Sequence, residues 1–316
     1  MSASLSDNPK FHVIPCPVCG GEDLKPRLEI PYGRLKQKQS LDYAPLGVTS
    51  ETVLRVVRCA SCRFVFVNPR FRPEFEKDLY NQCKKNMYRN KPELLALGTE
   101  ENHNASRKKK LHQMNVLLAV LARVDCGRPL TLVDYGCGFG YALALARELG
   151  IVGYGVDIDE ERLAVCERAG LRVAPPEMFA ERFPGIRADL VLMESNIEHL
   201  IDPNATFRFV RRLCRDGAVV YVDGLTPRII ALEERRNRFV KAHFLEHVNY
   251  FPIRTLDRFM SRYGFRPMSF GRTGTVTSWK ELVRFAGAYG LIRLCGENLV
   301  GGNFHRFYRF EEQGSP

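Results

Sequence analysis

The clearest order in the apolar positions begins at Pro129. Short apolar runs predict strands at 130–135, 151–156, 171–173, 188–194 and 218–223. Between them, helical spacing of apolar residues predicts helices over 141–149, 160–169, near 177–182 and over 204–214. Gly150, Gly170 and Gly217 stand just past three of these helices, where a left-handed residue ends a helix at least cost. Strict alternation of strand and helix implies a parallel sheet covered on both faces.

The pattern is looser on either side. Residues 107–124, apolar at 114, 117, 118, 121 and 124, predict an amphipathic helix. Beyond the alternating block, helices are expected over 229–242, 255–263 and 279–291, with late strands at 265–272 and, from alternating aromatics, at 303–310. Together these give an α/β, Rossmann-like sheet of seven strands, mostly parallel with one antiparallel edge strand. Residues 64–67 read as a strand ended by Asn68-Pro69-Arg70, and 72–105, carrying Tyr80 and Tyr88, as a helical linker that offers aromatic side chains to a pocket.

Composition adds bounds. At 316 residues, 45% hydrophobic and 26% charged, the chain can build two domains or one domain with an extension. Its first residues hold no apolar run of the secretion-signal kind, and no stretch reaches the roughly 18 apolar residues of a membrane span, so a soluble cytoplasmic protein is expected. The net charge of +11 permits an anionic partner such as nucleic acid, a nucleotide-linked substrate or an acidic membrane surface. The basic densities at 107–110, 208–215 and 235–238 all fall on predicted helices, where a solvated face explains them as well.

Four of the ten cysteines have informative spacing: Cys16-Pro-Val-Cys19 and Cys59-Ala-Ser-Cys62. Two such knuckles can place four thiolates around one tetrahedral zinc, a closed site without an open coordination position. Four unrelated buried thiols, or a redox pair, is the competing reading. The segment between the knuckles, rich in Lys, Gln, Tyr and Pro, is expected to form a hairpin or loop that reaches over the substrate.

The chemistry centres on Leu132-Val-Asp134-Tyr-Gly136-Cys-Gly138-Phe-Gly140, followed by Gly155-Val-Asp157. A dinucleotide turn requires G-x-G-x-x-G, but Tyr141 occupies the place of the third glycine. A pyrophosphate also disfavours a nearby carboxylate, whereas Asp134 suits a ligand carrying an ammonium. Asp157, ending the second strand, is placed to accept both ribose hydroxyls.

This G-x-G-x-G run with its upstream acid resembles the first motif of class I S-adenosylmethionine-dependent methyltransferases. The segment from Ala188 through Glu194, Glu198-His199-Leu200 and Asp202-Pro203 resembles their fourth-strand motif. The resemblance implies cofactor contacts from Asp134, Gly136, Gly138, Gly140, Asp157 and Glu194. His199 would touch substrate or tie its loop to the next helix. Phe244-Leu-Glu246-His247-Val-Asn-Tyr250-Phe251 resembles a segment of the zinc-containing sugar C-methyltransferases, which also carry an N-terminal four-cysteine module. Here Phe244 replaces a customary tyrosine, and no counterpart of that family's additional C-terminal domain is expected.

That likeness implies structural Zn2+ on Cys16, Cys19, Cys59 and Cys62, with His247 as base and Glu246 as its orienter for removing a proton beside a ketone. A packed loop histidine is the other reading of His247. The implied division is a zinc-ribbon-like module (1–75), a helical linker (76–106) and a methyltransferase domain (107–316). Methyl transfer to a small molecule such as a nucleotide-linked sugar is expected. RNA methylation and non-catalytic cofactor binding are the alternatives, and the oligomeric state stays open.

Overall fold

The computed structural model describes Leu5 and residues 8–35, 43–78, 100–124, 127–239, 242–268 and 302–312. Tyr80, Tyr88 and the helix expected over 279–291 lie outside the described residues. None of the described helices is long and apolar enough to cross a membrane.

The N-terminal part contains β1 (Phe11–His12), β2 (Leu24–Pro31), β3 (Val53–Cys59), β4 (Val65–Val67) and β5 (Arg70–Phe71). Then come α1 (Glu100–Leu121), β6 (Thr131–Tyr135), α2 (Tyr141–Glu148), β7 (Val152–Val156), α3 (Glu160–Arg168) and β8 (Arg172–Ala174). The chain continues through α4 (Phe179–Arg182), β9 (Ala188–Met193), α5 (Pro203–Leu213), β10 (Cys214–Leu225) and α6 (Arg228–Arg235). It closes with β11 (Asn249–Tyr250), α7 (Ile253–Ser261), β12 (Phe265–Pro267) and β13 (Asn303–Phe310).

Seven strands form the main sheet in the order β12-β13-β10-β9-β6-β7-β8. Those from β10 to β8 are parallel, while β13 runs antiparallel to both β10 and β12, making the antiparallel element of that edge. The order reverses between β6 and β9, which opens a crevice at their C-terminal ends. The sheet interior is apolar on both faces, with Val133, Val191 and Val220 packed in one cluster and Leu132, Leu190 and Val219 in another. Period-two alternation thus feeds two cores from the same strands.

Two predictions need correction. In α1 the buried side chains are Asn102, Ser106, Gln113, Val116, Leu117 and Val120, whereas Met114 and Leu118 are exposed. Its inward row is partly polar, since Asn102 donates to Tyr141 Oη at 3.0 Å and accepts from Lys110 Nζ at 3.1 Å; of the predicted apolar positions, Leu117, Leu121 and Val124 pack against the core while Met114 and Leu118 face outward. The helix expected over 229–242 stops at Arg235. Asn237 turns left-handed at φ +45°, and the chain folds back so that Ala242 N donates to Glu233 Oε2 at 2.9 Å.

The second sheet, ordered β11-β4-β3-β2, joins the two ends of the sequence: Asn249 pairs with Phe66 and Tyr250 with Val65. The segment between the cysteine pairs is indeed a hairpin, β2 against β3. Phe64 and Phe66 pack in the same core as Phe251 and Phe259. The cysteine-bearing module therefore shares a sheet and a core with the loop that precedes α7.

Candidate active site

Tyr135 lies opposite Val156, so the turn after β6 and the acidic end of β7 emerge side by side. Gly136 and Cys137 donate to the Val156 carbonyl at 2.7 and 3.0 Å. Asp157 Oδ2 accepts from Gly138 N at 2.8 Å and Oδ1 from Asp159 N at 3.0 Å. A carboxylate has about four acceptor sites, so Asp157 can hold the turn and still receive ligand hydroxyls.

The three glycines have different tasks. A Cβ on Gly136 would come within 2.3 Å of Asn196 Nδ2, whereas one on Gly138 would meet nothing closer than Arg162 Nη1 at 4.0 Å. Gly138 thus leaves room for a ligand against the backbone. A Cβ on Gly140 would strike Leu171 Cδ1 at 2.5 Å and Cys166 Sγ at 2.9 Å, so that glycine lets α2 pack and does not face the cleft.

Beneath the turn, Asp134 is 3% exposed, and its Oδ2 has no hydrogen-bond partner among the described residues. Burial, aided by Asp157 and opposed by Lys109, pushes its carboxyl up to about 7. Glu194 is pushed up to about 8 by burial and by Asp223, and its Oε2 is likewise unsatisfied among the described residues. Two desolvated carboxyls beside an open glycine turn fit an S-adenosylmethionine end that carries an ammonium.

Opposite this cradle is the segment from His243 to Tyr250. Phe244 has φ +39°, closed by a hydrogen bond from Leu245 N to the His243 carbonyl. The His243 and His247 rings meet edge-on with centroids 5.0 Å apart, and His247 meets His199 at 4.6 Å. These three histidines and Glu246 line the same cleft, of about 750 Å³, as Gly136, Gly138, Asp157 and Glu194. Glu198, His199 and His247 each bring a donor atom within 4.8 Å of the others'. Burial and then Asp223 push Glu198 up to about 8.

Distant parts of the chain hold this half. Tyr43, from the segment between the cysteine pairs, donates its hydroxyl to Glu246 Oε1 at 2.6 Å. The fully buried Arg70 donates to Ile201 O at 3.2 Å, Val248 O at 3.1 Å and Asn249 Oδ1 at 2.9 Å, and burial pulls its pKa down to about 9. Asn249 Nδ2 donates in turn to Ile197 O and Leu200 O at 3.0 and 2.7 Å. The Asp202-Pro203 pair of the motif caps α5, with Asp202 Oδ1 accepting from Ala205 N at 3.0 Å.

The four cysteines lie elsewhere, within 4.8 Å of one another, with Cys16–Cys62 and Cys19–Cys59 sulfur separations of 3.5 Å. Tetrahedral zinc with bonds of about 2.3 Å places sulfurs roughly 3.8 Å apart, so the set fits that ion. The sequence assigned no site role to Tyr43, Arg70 or Lys109, and Glu198 entered only as part of the Glu198-His199-Leu200 motif. A tyrosine in the excursion between the knuckles was the available signal for Tyr43.

A family model described as a methyltransferase domain matches residues 103–269, more than half of the chain. The chain belongs to that methyltransferase family. A curated relative, the "Ubiquinone biosynthesis O-methyltransferase" of Pseudomonas paraeruginosa (strain DSM 24068 / PA7), is 31% identical over 100 residues, covering 29% of this methyltransferase and 43% of the relative. A "Probable tRNA (uracil-O(2)-)-methyltransferase" of Caenorhabditis briggsae is 32% identical over 80 residues, 24% of this chain and 14% of the other. The methyltransferase thus spans less than half the length of either. The solved structure of a "SAM dependent methyltransferase from Archaeoglobus fulgidus" aligns with TM-score 0.43 and 19% identity, over 63% of this chain and 93% of that one.

Proposed function

We propose that this methyltransferase moves a methyl group from S-adenosylmethionine to a small-molecule acceptor of the nucleotide-linked sugar class, at a carbon beside a ketone. The carrying observation is the single cleft in which Gly138 and Asp157 face His199, Glu246 and His247. The bound cofactor supplies a methyl already activated on a sulfonium, which leaves the protein to orient the acceptor and receive a proton. Asp157 would accept the ribose hydroxyls while Asp134 and Glu194 face the amino acid end. His247 would take the acceptor proton on its ring, between His199 and His243, with Glu246 held by Tyr43 as orienter.

The cysteine set would hold structural zinc and, through Arg70 and the β4–β11 pairing, fix the loop that carries the base. An open cleft beyond the glycine turn disfavours a protein that only stores the cofactor. The deciding experiment incubates the protein with methyl-labelled cofactor and a panel of nucleotide-sugars, small metabolites and RNA, then identifies the labelled product by mass spectrometry. Label on a sugar carbon supports the reading, and label confined to RNA or on no acceptor overturns it.

A further inference from the structure

A second concavity of about 820 Å³, sharing no lining residue with the cofactor cleft, lies where the cysteine module meets the N-termini of α6 and α7. Its charge is one-sided. Arg58, Arg63, Arg228, Arg254 and Arg258 line it, all exposed, and among the described residues none of the five pairs with a carboxylate. Two more arginines at its rim are neutralised, Arg27 by Glu234 at 2.5 Å and Arg306 by Asp257 at 2.7 Å. The described lining contains no acidic residue and no aromatic ring.

Arg63 carries an independent mark of purpose. The two cysteine knuckles are built alike: Gly20 N donates to Cys16 O at 2.8 Å and Arg63 N to Cys59 O at 3.0 Å. The residue after each knuckle is left-handed, at φ +74° for Gly20 and +67° for Arg63. Glycine takes that conformation freely, whereas arginine takes it at a steric cost. The second knuckle thus keeps a strained arginine at the lip of the groove where glycine would be easier.

The helices add to the field. Pro227 and Pro252, the N-cap residues of α6 and α7, both line the groove; neither helix has a side-chain cap or an acidic residue in its first turn. Two positive helix ends and five unneutralised guanidinium groups repel one another unless an anion lies among them. A lone diphosphate would need fewer cations, and a nucleoside site would offer an aromatic ring for the base, which the described lining lacks.

We propose that this groove binds the phosphodiester backbone of an RNA strand, by phosphate contacts without base readout, as a docking site separate from the methyl-transfer cleft. The test measures fluorescence anisotropy of a labelled 12-nucleotide single-stranded RNA across a salt series. The variant Arg63→Gly/Arg254→Ala/Arg258→Ala removes three groove charges while giving the second knuckle its easier residue. A charge-matched control, Arg208→Ala/Arg211→Ala/Arg212→Ala, removes three arginines from α5. The groove variant should raise Kd at least tenfold and lower the log Kd against log salt slope by about two, at roughly 0.7 per phosphate contact. The control should change Kd less than threefold, and both variants should bind S-adenosylmethionine like the wild type. Equal losses in both variants, an unchanged groove variant, or full displacement of the RNA by equimolar pyrophosphate would overturn the proposal.

Discussion

The two halves of the cleft are made in opposite ways. The proposed cofactor half is local: Asp134, Gly136, Gly138 and Asp157 come from two adjacent parallel strands and the turn after the first, tied by hydrogen bonds of that turn to Val156 O and Asp157 Oδ2. The proposed acceptor half is assembled from afar: Glu246 is reached by Tyr43, and the loop around Val248 and Asn249 hangs on Arg70 and pairs with β4. A cradle made by one turn can survive damage elsewhere. A loop proposed to carry the base and stitched to an N-terminal module cannot, so injuries to that module should separate cofactor affinity from turnover.

The strongest break in the comparison is Cys59→Ala. Wild-type protein should carry one zinc per chain by elemental analysis. The variant should lose the metal and its turnover while keeping S-adenosylmethionine affinity within about threefold. Loss of both functions together would show that the halves do not fold separately.

His247→Ala comes next. A positioned proton acceptor contributes about 10²–10⁴-fold, so kcat should fall by that factor with cofactor affinity unchanged in calorimetry. Turnover at the wild-type rate would return His247 to the role of a packed ring beside His199 and His243. Asp157→Ala probes the other half. Its cofactor Kd should rise more than tenfold, from lost ribose contacts and from a turn that loses the acceptors of Gly138 N and Asp159 N. Unchanged affinity would remove the ribose assignment.

Tyr43→Phe removes a single hydroxyl. A hydrogen bond to a charged group is worth about 1.5–3 kcal/mol, so kcat should drop roughly tenfold or more while cofactor affinity stays put. An unaltered kcat would mean that the excursion between the knuckles merely packs against the loop.

Legibility in the sequence follows the same division. Alternating apolar runs located the described strands of the main sheet and the glycine turn because those signals are local and periodic. Motif spacing also paired the four cysteines. The contact of Tyr43 with Glu246 spans 203 positions, and the segment between the knuckles signalled only an excursion, not the partner it reaches. The inward face of α1 was legible only in part, because Met114 and Leu118 point outward while Asn102 and Gln113 occupy inward positions where an apolar residue is the usual sign. The end of α6 was missed because Asn237, an ordinary polar residue in the pattern, adopts the left-handed turn that glycine usually signals.

The smallest effect is a proton count that tests the cofactor half alone. Burial raises Asp134 to about 7 and Glu194 to about 8, both above ordinary carboxylate values. In the cofactor-free protein these groups contribute stability that is full below the unfolded pKa, near 4, and is lost as pH rises through 7 to 8. A bound ammonium beside them favours the ionised carboxylate, lowers the pKa and expels a proton. Calorimetric titration with S-adenosylmethionine at pH 7, in buffers of different ionisation enthalpy, should therefore show release of roughly half a proton or more per chain. The release should vanish at pH 9, where both carboxyls are already ionised, and proton uptake at pH 7 would place the ammonium away from Asp134 and Glu194.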